Sequence, residues 1–295
     1  MESTVSSKQE QEVVERKTIV RDGVSYYPRQ DICTVLIMGI DHQGVVVPSE
    51  EPNHGNAVDM LTLVVFDETD TSVSLLSLNR DTIVEMPRLN EFGRETGTRT
   101  AQLALSHTYG TGVEDSCINT RKTVSNLLCG LEIDYYLSMN MDAIGILNDA
   151  VGGVPVTVED DFSNIDPTIL PGEMLLNGEQ ALKYVQARQG VGDQLNLSRI
   201  RRQQDYMQGF LAAFREKTEK SGSFLPKTYD AVSDYIVTDM SLAVISRLVE
   251  DYEDYELKDV LTLEGENRRT EQFYEFHVDE EALDQLLLER FFSPK

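Results

Sequence analysis

A three-layer α/β/α sandwich with a central mixed sheet is the fold class that this chain of 295 residues predicts. Three observations carry that expectation. Short apolar, β-rich runs at 34–40, 61–66 and 72–78 each carry a charged or polar residue at one end, as buried strands do when their rim carries chemistry. A strand–helix–strand succession spans 135–158. A long amphipathic stretch, 198–217, sets Met207, Phe210, Leu211 and Phe214 on one face.

Taken in chain order, residues 1–30 are polar and read as a flexible tether, ahead of one domain over 31–295. The run 34–40 is a strand that stops at Asp41, and 43–56 is a loop rich in Gly, Pro and Glu. Residues 60–66 and 72–78 read as a hairpin joined by the polar turn 67–70. The stretch 87–100 reads as loop, and 101–108 as a short helix ended by Tyr109 and Gly110. Residues 119–129 form a helix with Gly130 as its C-cap. The succession 135–139, 142–151, 154–158 has the pattern of a crossover unit. Asn177 is placed to cap a helix over 177–185. The remainder carries helices near 226–236, 241–252 and 280–291, with a strand near 273–278.

Composition narrows the function. Fifty-one acidic against 26 basic residues leave a formal net charge of −25, which repels nucleic acid at long range. An anionic ligand would therefore need local arginines or a metal ion. The three cysteines (Cys33, Cys117, Cys129) and four histidines (His42, His54, His107, His277) show no zinc spacing. There is no apolar run long enough to span a membrane, no phosphate-binding glycine loop and no nucleophile-elbow serine.

Asp41 and Asp59 are the first candidates for chemistry. Magnesium commonly takes one or two carboxylates plus phosphate oxygens, and two aspartates on adjacent strand ends meet that need. Each taken singly is better explained as a turn or helix cap. Arg80 directly follows a buried strand and either pairs with a structural carboxylate or grips an anion, and Asp81 is placed to orient it. Gln186 and Arg188, followed by Arg199, Arg202 and Gln203 on one helical face, gather polar and cationic groups where an anion would be welcome.

These motifs resemble the LytR-CpsA-Psr family. The likeness runs from about Cys33 to Lys217 in the family's order: Leu36-Ile-Met-Gly-Ile-Asp41, Asp59 before a strand, Ser77-Leu-Asn-Arg80-Asp81-Thr82, His107-Thr-Tyr-Gly110, Asp134-Tyr-Tyr136, Asp149-Ala-Val-Gly-Gly-Val154, Leu176-Asn-Gly-Glu-Gln-Ala-Leu182 and Arg202-Gln-Gln204. The resemblance implies a phosphotransferase on the extracellular face of the bacterial cytoplasmic membrane, reached through an N-terminal anchor. Its partners would be a polyprenyl-pyrophosphate-linked glycopolymer and peptidoglycan, with no nucleic acid. It implies Mg²⁺ on Asp41 and Asp59, and pyrophosphate on Arg80, Arg188 and Gln203 with Arg199 and Arg202 close by. Arg80, Asp81 and Arg188 are the expected catalytic residues, Asp81 as a candidate base.

The sequence departs from the family's pattern at four places. Ala57 and Gln186 stand where arginine is usual, Gln102 where lysine is usual, and Asn79 where proline is usual. Three cations are thereby replaced, with Arg88, Arg94, Arg99 and Arg121 available in loops or nearby. A lipid-carrier or glycopolymer-binding module and a polyprenyl pyrophosphate hydrolase are the rival functions.

Overall fold

The computed structural model describes residues 18–53, 55–187, 190–192, 196–271 and 273–294, with the side chains of 196 and 197 left aside. The chain opens on a hairpin of β1 (Ile19–Arg21) and β2 (Val24–Pro28). The central strands β3 (Ile32–Ile40), β4 (Val58–Asp67) and β5 (Ser72–Leu78) follow. Next come a ribbon of β6 (Ile83–Leu89) and β7 (Glu95–Gln102), a 3₁₀ turn at Leu103–Thr108, and α1 (Glu114–Leu127). Strand β8 (Tyr135–Asn140), α2 (Met141–Ala150), β9 (Val154–Val158), β10 (Gly172–Leu176) and α3 (Gly178–Gln186) lead into α4 (Asn196–Lys220). The remainder comprises α5 (Phe224–Val232), β11 (Ile236–Thr238), α6 (Leu242–Asp251), β12 (Glu256–Thr262), β13 (Gly265–Arg269), β14 (Tyr274–Val278), α7 (Glu280–Arg290) and β15 (Phe292–Pro294).

The central sheet is six-stranded in the order β11-β8-β3-β4-β5-β12. It is mixed: β3 runs parallel to β8 and antiparallel to β4, and β12 runs parallel to β5. Alternation along β3 divides the core. Leu36, Met38 and Ile40 face α1, Leu287 of α7 and Phe291 just after that helix, while Val35 and Ile37 face Met207 and Leu211 of α4 and Val244 of α6. The sandwich therefore has helices on both faces, as the apolar runs predict.

Four expectations need correction. Within the supposed tether, β1 and β2 are ordered strands, and β2 pairs with β15 at the far end of the chain. The stretch 87–100 belongs largely to the β6–β7 ribbon; its exposed face and its Gly and Pro residues hide the strand pattern. The crossover reading fails because β9 pairs antiparallel with β10 in a separate two-stranded sheet, not in the central one. The stripe on α4 is more than core, since it walls a cavity described below.

Local signals set two elements that position the site. Asn177 caps α3 through a reciprocal capping box with Gln180. Gly209 lets α4 lie directly on β9, because a Cβ there would stand 2.2 Å from the Pro155 carbonyl oxygen. Helix α4 is thereby fixed across the satellite sheet, with its first turns at the rim of the main sheet.

Candidate functional site: a charged rim at the mouth of an apolar cavity

Strands β3, β4 and β5 bring Asp41, Asp59 and Arg80 to one end of the central sheet. The Asp41 amide donates to the Ala57 carbonyl at 3.4 Å, so the two aspartate-bearing strand ends are neighbours. Asp41 itself is exposed, whereas the Asp59 side chain is mostly buried. Arg80 Nη1 donates to Asp59 Oδ1, and Arg199 Nη1 from α4 lies 3.6 Å from Asp59 Oδ2. One carboxylate thus faces two guanidinium groups. Arg199 is only 4% exposed, a costly place for a cation without an anionic partner.

The turn carrying Arg80 is pinned from three directions. The Arg80 carbonyl accepts from the Ala104 amide at 2.8 Å, and the Asp81 carbonyl accepts from the Phe276 amide at 2.8 Å. The Asp81 amide donates to Asn79 Oδ1 at 3.0 Å, so Asn79 serves as a turn-former where proline is usual. Asp81 Oδ1 accepts from Gln102 Nε2 at 3.0 Å and stands 3.6 Å from Arg80 Nε. Gln102 also donates to the Tyr274 carbonyl at 2.7 Å. Asp81 is 4% exposed and engaged on both sides. This geometry suits orienting Arg80 and does not suit a base that must meet an incoming hydroxyl. Arg80 Nε is buried and makes no hydrogen bond among the described residues.

Beneath that rim lies a cavity of about 250 Å³ between the sheet and helices α2, α4 and α5. Its walls are almost wholly apolar, with Ile37, Leu137, Met207, Phe210, Leu211 and Phe214 among them. Its polar end is formed by Asp59, Gln186, Arg199 and Gln203. Gln203 Nε2 donates to the Val185 carbonyl at 3.2 Å, which keeps its amide at that mouth. An apolar slot ending in carboxylate and guanidinium groups suits an amphiphile with an anionic head.

The expected site residues do not all converge. Arg188 lies outside the described residues. Arg202, expected beside Arg199, belongs elsewhere. Its Nη1 pairs with Asp160, Nε donates to the Tyr184 carbonyl at 3.0 Å, Nη2 donates to the Ala187 carbonyl, and the guanidinium lies over the Phe162 ring. The expectation that Arg202 holds pyrophosphate is corrected on that ground: although it shares a helix face with Arg199, its donors are taken up by Asp160 and two backbone carbonyls. Arg121 is paired with Asp239 at 2.9 Å over the Tyr136 ring, and Arg99 Nη1 reaches the Tyr109 hydroxyl at 3.4 Å. These two are committed to other partners.

Two further features were singled out by sequence. His107 Nε2 lies 3.7 Å from Cys117 Sγ. Burial pushes the Cys117 thiol up to about 12 and the His107 imidazole down, so this pair stays neutral and is structural. All three cysteines are free thiols. Among the described residues no cluster of three or more acidic, histidine or cysteine side chains exists, and no helix is long and apolar enough to cross a membrane. The backbones of Asp41 and Asp59 meet at this rim, where the Asp59 carboxylate is engaged by Arg80 and Arg199. Residue patterning by itself did not reveal the cavity, and Gln186, which the sequence sets where arginine is usual, lies at its mouth. The density of large apolar residues on α4 was the cavity's only signal, and that signal also fits an ordinary core.

Comparison with known proteins agrees with this architecture. The LytR_cpsA_psr family model matches residues 1–290. A polyisoprenyl-teichoic acid–peptidoglycan teichoic acid transferase, TagU of Halalkalibacterium halodurans, is 30% identical over 275 residues, covering 90% of this chain and 81% of that protein. TagU of Bacillus subtilis is 25% identical over 282 residues, covering 92% of this chain and 81% of its own length. Among solved structures, protein gbs0355 of Streptococcus agalactiae superposes with a TM-score of 0.71 at 24% identity, over 87% of this chain and 85% of that one. TagT bound to LI-WTA superposes with a TM-score of 0.65 at 22% identity, over 87% and 88% of the two chains. With the family's match extending well past the stretch that its motifs occupy, the chain belongs to the LytR-CpsA-Psr family.

Proposed function

We propose that this protein is a cell-wall glycopolymer phosphotransferase. It takes a polymer from a polyprenyl pyrophosphate carrier and attaches it to a peptidoglycan hydroxyl. The reading rests above all on the apolar cavity opening onto Asp59, Arg199 and Gln203, with Arg80 on the same carboxylate. A lipid chain fits the first part and a diphosphate fits the second. The transferases named among its relatives act on substrates of this kind.

In the reaction, the acceptor oxygen forms a bond to the phosphorus that carries the sugar. The phosphoanhydride bond breaks, and polyprenyl phosphate leaves with the bridging oxygen. The hydroxyl proton passes to solvent at the exposed rim, since Asp81 is buried and hydrogen-bonded to Gln102 and cannot meet an incoming hydroxyl. Such transfers depend mainly on positioning and charge neutralisation. Arg80 and Arg199 neutralise the diphosphate, and Asp81 with Gln102 fixes Arg80's direction. Magnesium, held by Asp41 and Asp59, would add charge neutralisation at the phosphate oxygens. The carrier is a membrane lipid, so the reaction belongs at the extracellular membrane surface, and attachment through an N-terminal anchor is part of the same reading.

The test is direct. Incubation with a polyprenyl-pyrophosphate-linked glycan, magnesium and peptidoglycan strands should yield polyprenyl phosphate and glycan-modified peptidoglycan, and Asp59→Ala should stop both. Tight carrier binding without turnover would instead establish a carrier-binding module, a reading favoured by neutral Gln186 at the cavity mouth. Turnover without peptidoglycan acceptor would establish the hydrolase.

A further inference from the structure

We propose that a second cavity, on the opposite face of the same strand ends, is a subsite for a neutral saccharide, the acceptor glycan. The assignment of the occupant as acceptor rests on the phosphotransferase reading above. Side chains alternate across a sheet. Ile37 and Gly39 of β3, with Leu137 and Met139 of β8, border the lipid-sized cavity. Ile40, Ser138 and Asn140 therefore face the other way, and there they line a cavity of about 240 Å³.

Its outer wall comes from the segment between the two candidate metal-binding aspartates. His42, Val46, Ser49 and Asn56 contribute, with Tyr235 from the turn before β11. This wall is tied down along its length. The Gly44 amide donates to Asp142 Oδ2 at 2.6 Å, and the Val46 amide to the Asp234 carbonyl at 2.8 Å. The Ser49 amide donates to the Thr111 carbonyl at 2.8 Å, and the Asn53 amide to the Gly110 carbonyl at 2.7 Å. The cavity is thus built into the fold.

Position links it to the chemistry. Asp41 sits in sequence between Ile40 and His42, both of which line the cavity. Asn56 precedes Asp59 by three residues, about 10 Å along an extended chain. Phosphoryl transfer wants its entering and leaving oxygens roughly in line. With the carrier lipid on one face of the sheet, the hydroxyl must approach from the other side of the rim, where this cavity lies.

The lining also fits a sugar better than a phosphate. Among the described residues no lysine or arginine borders the cavity, so its lining offers an anion nothing against the chain's net charge of −25. Asn140 is spent on capping α2 and on the Gly44 carbonyl, and Ser49 Oγ on the Glu51 carbonyl. Among the described residues, no hydrogen bond engages the His42 ring, the Asn56 side-chain amide or the Tyr235 hydroxyl. Imidazole, amide and phenol beside the apolar Val46 match a ligand that presents hydroxyls around a less polar ring face.

The experiment pairs binding with turnover. Tetra-N-acetylglucosamine, which carries the uncharged sugar rings of the acceptor strand without its lactyl or peptide carboxylates, is titrated against the whole protein by ligand-observed NMR, and against the double variant Asn56→Ala, Tyr235→Phe. Binding to the wild-type protein should weaken about tenfold or more in the variant, as expected for two lost hydrogen bonds. The KM for acceptor should rise in step, while binding of a fluorescent polyprenyl phosphate and the Tm stay unchanged. Equal saccharide affinity in both proteins, or no saccharide binding by wild type at millimolar concentration, overturns the subsite. Saccharide binding that is lost in the variant, in a protein that transfers nothing, keeps the subsite and rejects the transferase reading.

Discussion

Arg199 and Arg202 stand one turn apart on α4, each beside an aspartate, and they do opposite things. Arg202 is saturated: a carboxylate, two backbone carbonyls and an aromatic face consume its guanidinium. The region around it, with Asp205 accepting from the Tyr184 hydroxyl at 2.9 Å, is a structural joint between α3, α4 and β9. At the rim, Arg199 and Arg80 share one carboxylate, and that carboxylate faces a cavity. The difference teaches that what an arginine's carboxylate partner faces, a cavity or packed backbone, and not its presence in a basic motif, separates a candidate ligand site from a joint.

Substitutions at the two regions should break in different currencies. The largest effect is expected at the rim. Arg80→Lys keeps a positive charge but loses the planar fork, and turnover should fall about 10²–10³-fold with little change in Tm. Arg202→Ala should do the reverse. Removing it leaves Asp160 and two carbonyls without their partner, so stability should drop by about 2–4 kcal/mol in denaturant titrations. The rate per folded molecule should hold. Equal losses of rate from both changes would erase the distinction.

A smaller effect separates cavity from core. Met207 faces the cavity on α4, so Met207→Trp should fit without unfolding the protein while displacing a lipid chain. Polyprenyl phosphate affinity, read by fluorescence, should fall about tenfold, or 1.4 kcal/mol. A large loss of Tm in place of lost affinity would mark that face as closely packed core.

The smallest expected effect concerns pH. Burial holds the His107 imidazole below its ordinary value, opposed in part by the bond from Nδ1 to the Asn56 carbonyl. Below about pH 6.5 the unfolded chain takes up a proton that the native state refuses. Stability from this group is therefore complete above that pH and declines as pH falls toward the depressed native value. A His107→Gln variant should show a flatter stability profile in that window, and an unchanged profile would remove His107 as its source.

Much of this was readable from particular residues. The runs around Leu36, Leu63 and Leu75 are too apolar and β-branched to be anything but buried strands. Asn177 and Gln180 announced their helix start. Asp59 and Arg80 announced a charged rim, because a strand that ends in charge must end at a surface or a site. Other features resisted for reasons of distance. Strand β12 joins β5 from about 180 residues away, and such pairing leaves no local mark. Gln102 reads as a lost cation until Asp81 and Tyr274 are seen to hold it.

By itself, then, the sequence determined the strand cores, the helix caps, the family motifs and the residue types at the rim. These follow from local periodicity and backbone preference, which act over a few residues. Only the tertiary structure decided which cation faces which anion, where α4 leaves a cavity instead of filling it, and that Asp81 is buried. Those outcomes depend on where distant segments come to rest, and a side chain's role is set by what it and its partner come to face.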